Sequence, residues 1–239
     1  MKKIKSKIML IVLATIIMFP IFSFASKFSI SSSAMTHQQY TDNYPVVVID
    51  AGHGGIDGGA TSHTGTLESH INLEIANRLN DLLHLLGMQT CMIRNSDVSV
   101  YTSGTSIAEK KVSDLKERVK TINGIDNAVL ISIHQNYYPK SQYNGAQVFY
   151  GSVEGSKDLA LELQNTFLRT INTDSSRQIK PATGIYLMQN IDCPGVLIEC
   201  GFISNPEEAL KLEDPDYQKK ICSIIATTFS RTAKEKLIT

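Results

Sequence analysis

Histidine and glutamate recur at the ends of apolar runs in this chain of 239 residues. Val46-Val47-Val48-Ile49-Asp50-Ala51 leads straight into Gly52-His53-Gly54-Gly55, Val129 to Ile133 leads into His134, and Gly195-Val196-Leu197-Ile198 ends on Glu199. Glu68 follows where the next helix is expected to begin. Two histidines and a glutamate are a known ligand set for catalytic zinc, with a fourth position open for water, and a further glutamate can serve as base.

Each residue also has a plainer use. Glycines around His53 let the backbone bend and approach an ion, but they would serve a tight turn equally well. Glu68 at a helix N-terminus is favoured by the macrodipole alone. Asn72, one helical turn later, is placed to orient Glu68 by a hydrogen bond. His63 and His70 are substitute ligands of lower rank, since His70 points roughly 200° around the helix from Glu68. His134 is followed by Gln135-Asn136-Tyr137-Tyr138-Pro139, a polar and aromatic turn in which Gln135 and Asn136 are suited to supporting the ligands or to lining a substrate groove. Glu199 is the least comfortable, because a carboxylate directly after three apolar residues is poorly hydrated. Such a site can tune a carboxylate to accept a proton from water, although a structural salt bridge would also satisfy it.

The elements that must position these groups alternate. Leu67, Ile71, Ile75, Leu79, Leu82, Leu83 and Leu86 recur at helical spacing, with Thr66 as N-cap and Gly87 as terminator. Strands are expected over 88–94, 128–134, 147–150 and 196–199, with 184–188 extended, and helices over 107–123, 156–171, 205–212 and 217–236. This order predicts one α/β domain, a mostly parallel central β-sheet between helices. In open sheets of this kind ligands gather beyond the carboxyl ends of strands, where His53, His134 and Glu199 all fall.

Several alternatives fail on spacing. The third glycine of a dinucleotide fingerprint would fall at Asp57, and no phosphate-loop, H-E-x-x-H or G-x-S-x-G motif occurs. Cys200 follows Glu199 but faces the other side of an alternating strand, so packing is its expected use. Cysteines 91, 193, 200 and 222 fit no zinc pattern and read as free, mostly buried thiols. Seven extended residues, roughly 20 Å, separate Cys193 from Cys200, far too much for a disulfide.

The first residues are basic, an apolar run covers 8–24, and Ser23-Phe24-Ala25 resembles a cleavage site, so residues 1–25 read as an export signal or an uncleaved membrane anchor. Residues 26–44 read as a polar tether and 45–239 as the globular domain. Loss of residues 1–25 removes four lysines and no acid, leaving 19 basic against 23 acidic residues, a net charge of about −4. No basic patch remains for nucleic acid.

The stretches VVVIDAGHGGIDGGA, TLESHINLEIANRL, VLISIHQNYY and GVLIECGFISNPEE, each weak alone and specific together, resemble the zinc-dependent N-acetylmuramoyl-L-alanine amidases of the Amidase_3 type. The resemblance runs from about Val46 to Ala233. The N-terminal signal and the lack of wall-binding repeats make it most like the sporulation amidases of the CwlD type. It implies one zinc ion held by His53, Glu68 and His134, Glu199 as catalytic carboxylate, and peptidoglycan as substrate, cut between muramic acid and L-alanine. It also implies action outside the cytoplasm, between the forespore membranes, in spore cortex maturation or germination. The competing functions are a catalytically silent wall-binding protein and a zinc peptidase cutting within the stem peptide. With no wall-binding repeats, localisation or activity is expected to depend on the anchor or on an accessory protein. Ala51 stands where proline is frequent in that family, and Gln135 and Tyr137 where small residues are usual, which bears on groove shape and accepted muropeptides.

Overall fold

The computed structural model describes residues 44–233. The expected export signal and all of the tether except Tyr44 lie outside those residues, as does the end of the last expected helix. In chain order the elements are β1 (Val46–Ala51), α1 (Glu68–Leu85), β2 (Thr90–Met92), α2 (Ile107–Asn123), β3 (Ala128–Asn136), β4 (Gln147–Tyr150), α3 (Ser156–Thr170), β5 (Lys180–Pro181), α4 (Tyr186–Asn190), β6 (Gly195–Phe202), α5 (Pro206–Glu213) and α6 (Pro215–Thr232). They build an α/β domain on one six-stranded sheet of order β2-β1-β3-β6-β4-β5. The pairs β1–β2, β1–β3, β3–β6 and β4–β5 are parallel, and β4 runs antiparallel to β6. No helix among the described residues is long and apolar enough to cross a membrane.

Period-two alternation sorts the central strands onto two faces. Val47, Ile49, Val129, Ile131, Ile133, Val196 and Ile198 enter the larger core with Ile75 and Leu79 of α1, Leu163 and Phe167 of α3, and Ile225 and Phe229 of α6. Val48, Leu130 and Leu197 enter a smaller core with Ile122 of α2 and Leu187 and Met188 of α4. Burial on both faces explains why these strands read as unbroken apolar runs. Continuing the alternation puts Asp50, Ser132, His134 and Glu199 on the α2 face, and Gln135 and Cys200 on the α1 face. All four cysteines are free and Cys200 packs into the larger core, as expected, but only Cys200 and Cys222 are buried, with Cys91 and Cys193 half-buried.

The local differences from expectation have physical causes. Residue 184–188 is not extended: after Gly184, at φ 81°, the chain turns and α4 begins. A five-residue apolar stretch has no periodicity to separate helix from strand, and packing of Leu187 and Met188 on the sheet decides it. The two-residue edge strand β5, ending on a proline, left no sequence signal. Thr66 is not the N-cap of α1. Leu67 is, held extended by its bridge to Thr61, and the first helical N–H groups, of Glu68 and Ser69, donate to the carbonyls of Ala60 and Gly58. Gly87 does end the helix, with Gly87 donating to His84 and Met88 to Leu83 in a Schellman pattern. That use of Met88 confines the following strand to Thr90–Met92.

Candidate metal centre and its cleft

Parallel register brings the strand-end groups together. His134 on β3 pairs with Glu199 on β6, and Ala51, two residues before His53, pairs with Ile133. His53 sits beyond β1 at φ 61°, a left-handed conformation uncommon for residues other than glycine. The loop from Gly58 to Ala60, tied to the start of α1, brings Glu68 against both imidazoles. Glu68 Oε2 is 3.3 Å from His53 Nε2, and Oε1 is 3.0 Å from His134 Nδ1.

One ligand atom from each of the three residues lies within 4.8 Å of the others. Bonds of about 2.0–2.2 Å place tetrahedral donors roughly 3.4 Å apart, so these separations suit a single small cation. The surroundings are shaped to the same end. A Cβ at Gly52 would lie 2.2 Å from His134 Cε1, and one at Gly59 would lie 2.6 Å from Glu68 Oε2 and 2.8 Å from His53 Cδ2. Glycine at 52 and 59 is therefore what leaves room for the imidazoles and the carboxylate.

A second layer holds the three groups. Asn72 donates to Glu68 Oε1 at 3.3 Å and to the Gly52 carbonyl at 3.1 Å; the backbone N–H groups of Gln135 and Ala60 reach the two Glu68 oxygens at 3.1 and 3.0 Å. Of its two expected uses, Gln135 makes contacts that match support of the ligands rather than the groove. It is buried on the α1 face with its Nε2 donating to Asn72 Oδ1, because it alternates with His134, and β3 continues as strand through Asn136 where a turn was expected. His63 is exposed, and His70 pairs with Asp97 on the exposed side of α1.

Asp57, Lys111, Asp50, Arg94 and Arg118 were not singled out from the sequence. His53 Nδ1 lies 2.9 Å from Asp57 Oδ2, and Lys111 Nζ holds Asp57 Oδ1 at 2.8 Å. Buried Arg118 pairs with Asp50 and Asp114 and donates to the carbonyls of Ala51 and His53. Buried Arg94 donates to the carbonyls of Ala51, Gly52 and Ser69. Two guanidinium groups thus gather the backbone oxygens of the His53 turn. Asp50 had a signal of the same kind as Glu199, a carboxylate following four apolar residues.

Electrostatics set the protonation states of the metal-free site. Burial opposes ionisation of Glu68, yet His134 and then His53 hold its carboxyl well below the usual range. Burial likewise pulls His53 down, and Glu68 followed by Asp57 overcomes it, raising the imidazole to about 9. Glu199 moves the other way. Burial, reinforced by the charge of Glu68 and opposed by His134 and His53, pushes it up to about 7. The residue is only part-buried, but its Oε2 is sealed from solvent and has no hydrogen-bond partner. It faces, with His53 and His134, a cleft of about 350 Å³ between α2 and α4 whose apolar walls include Ile56, Leu115, Ile185 and Leu187.

The family model for N-acetylmuramoyl-L-alanine amidase, Amidase_3, matches residues 47–230, most of the chain and all of the site. The chain belongs to the Amidase_3 family. The germination-specific N-acetylmuramoyl-L-alanine amidase of Bacillus subtilis is 40% identical over 193 residues, covering 80% of this chain and 81% of that one. The B. subtilis amidase LytC is 31% identical over 75% of this chain, which spans 34% of its length. Among solved structures, the CwlD amidase of Clostridioides difficile in complex with the GerS lipoprotein matches with TM-score 0.76 and 35% identity, covering 80% of this chain and 98% of that one. The amidase AmiC2 of Nostoc punctiforme matches with TM-score 0.66 and 26% identity, over 80% and 98%. As an Amidase_3 member with germination-type relatives, the chain is a hydrolase with N-acetylmuramoyl-L-alanine amidase activity.

Proposed function

We propose that zinc held by His53, Glu68 and His134 supports this amidase activity on peptidoglycan, with Glu199 as the catalytic carboxylate. The observation carrying the reading is the unpartnered Glu199 carboxylate on the same cleft as the two imidazoles. Bound zinc would polarise the scissile carbonyl and make water more acidic. Glu199, near 7, is suited to take a proton from the attacking water and to return one to the alanine nitrogen, which must be protonated to leave. Asp57 favours a proton on His53 Nδ1, so the proton a metal would displace is the one on Nε2, whose lone pair then faces Glu68 and the site. Asn72 and the Gln135 N–H fix Glu68, and the apolar walls of the cleft limit access of bulk water.

The setting we propose is wall remodelling in spore cortex maturation or germination, outside the cytoplasm. The basic start, the apolar run of residues 8–24 and the small-residue site at 23–25 support an export signal or anchor, with 26–44 as tether. A lipoprotein partner is part of the proposal, supported by the complex in which the C. difficile relative was solved.

Elemental analysis paired with a product assay tests the reading. Purified protein should carry one zinc per chain and should release peptides with a free L-alanine amino group from peptidoglycan, and a chelator should abolish that release. Cleavage within the stem peptide, seen by mass spectrometry, would make it a peptidase. Wall binding without release would make it a silent receptor.

A further inference from the structure

Apart from the site residues His53, His134 and Glu199, the charged groups lining the cleft pair off, with one cation left over. Asp57 is held by Lys111 at 2.8 Å, and Asp50 and Asp114 by Arg118. Lys110, on the same helix and lining the same cleft, has no carboxylate partner among the described residues. It is part-buried, with its Nζ 5.2 Å from the centroid of the Tyr101 ring. An ammonium partly withdrawn from water and resting near an aromatic face loses hydration that the ring only partly replaces. The wall at the start of α4 offers Ile185, Tyr186 and Leu187, none of them an acid.

A substrate that fills this cleft brings anions of its own. The fragment that departs when the muramoyl amide is cut is a peptide. In peptidoglycan its second residue is a D-glutamate joined through the γ-carboxyl, which leaves an α-carboxylate close to the scissile bond unless the cell amidates it. The peptide's C-terminal carboxylate is the other anion. We infer that Lys110 is a specificity-determining residue that binds a carboxylate of the departing stem peptide. The inference rests on the amidase reading above and extends it to one substrate contact. Lys110 acts by charge and reach rather than by proton transfer, and Lys111 beside it is already committed to Asp57.

Three muramyl tripeptides test this with zinc-loaded protein. One has both carboxylates free, one is amidated at the second residue, and one is amidated at the C-terminus. Wild-type kcat/KM should fall about fivefold, the upper range for a partly exposed ion pair, on one amidated substrate, and which one identifies the bound carboxylate. Lys110→Met should cleave all three at nearly the same, lower rate, and Lys110→Arg should restore the preference. Equal wild-type rates on all three substrates, or an undiminished preference in Lys110→Met, would overturn the inference while leaving the amidase reading intact. Absence of any L-alanine-ended product from the wild type would instead sink the amidase reading, and this contact with it.

Discussion

His134 and Glu199 face each other across adjacent parallel strands, in register at the carboxyl edge of the sheet. One offers its imidazole to Glu68, and the other keeps a sealed carboxylate oxygen, Oε2, with no hydrogen-bond partner among the described residues. A fold that buries a carboxylate and leaves it unpaired incurs a stability cost, which a catalytic use would explain.

Glu199→Gln separates the two roles. The amide keeps the shape and removes the proton acceptor, so zinc content should stay at one per chain while turnover falls by about 10²–10⁴-fold. The variant also has a stability signature in the metal-free protein. With its folded pKa raised to about 7, Glu199 binds more protons when folded than unfolded, so wild-type stability falls as pH rises from about 4.5 towards 7. Glu199→Gln lacks that contribution, and denaturant melts of both proteins across the interval should diverge with rising pH, in favour of the variant.

Zinc affinity should itself depend on pH. In the metal-free site His53 is held near 9 despite burial, chiefly by Glu68 and then by Asp57, so below that pH the metal must displace its proton. Apparent affinity should rise about tenfold per pH unit between 7 and 9 and level off above. The same proton stabilises the metal-free fold at and below pH 6.5, and that contribution is lost as pH climbs through 9. Chelator competition at several pH values reads the first effect. A flat profile would mean that His53 is not a ligand.

Much of this geometry was legible in the chain because alternation and register act together. Three apolar runs fix three adjacent strands, and whichever polar residue ends each run must appear at one edge of the sheet, so His53, His134 and Glu199 could be placed by counting. The supporting residues could not. Asp57 lies in a glycine-rich loop with no period, and Arg118 reads as one more charge on a helix until the partner strand supplies Asp50. The short α4 depends on a core that local sequence does not describe, and the start of α1 depends on a loop eight residues back, through the bond from Glu68 to Ala60. Gln135 was expected in a turn, and its supporting role against Asn72 rather than a place in a groove follows from β3 running on through Asn136.

Asp57 should tune the metal without touching it. Its carboxylate accepts from His53 Nδ1 and is held by Lys111. Asp57→Ala frees the imidazole to rotate and to change tautomer, and zinc affinity should fall by about 10–100-fold. Lys111→Met leaves the first bond in place, so its loss should be several times smaller. Both are read by zinc competition, and equal losses would place Lys111 elsewhere in the chain of contacts.

The Arg118–Asp50 pair sets the stability of the site. Both side chains are buried, Asp50 also accepts from Ser132 Oγ at 2.7 Å, and Arg118 reaches the His53 carbonyl at 2.7 Å. Arg118→Met leaves Asp50 as an uncompensated buried charge and should cost about 3–5 kcal/mol. Asp50→Asn in the wild-type background leaves Arg118 its bond to Asp114 and should cost less. Combining the two removes the orphaned charge, so the double variant should be more stable than Arg118→Met alone, a non-additivity that equilibrium denaturation measures directly. Additive losses would mean that the two charges do not depend on one another, and that the His53 turn is held by Arg94 instead.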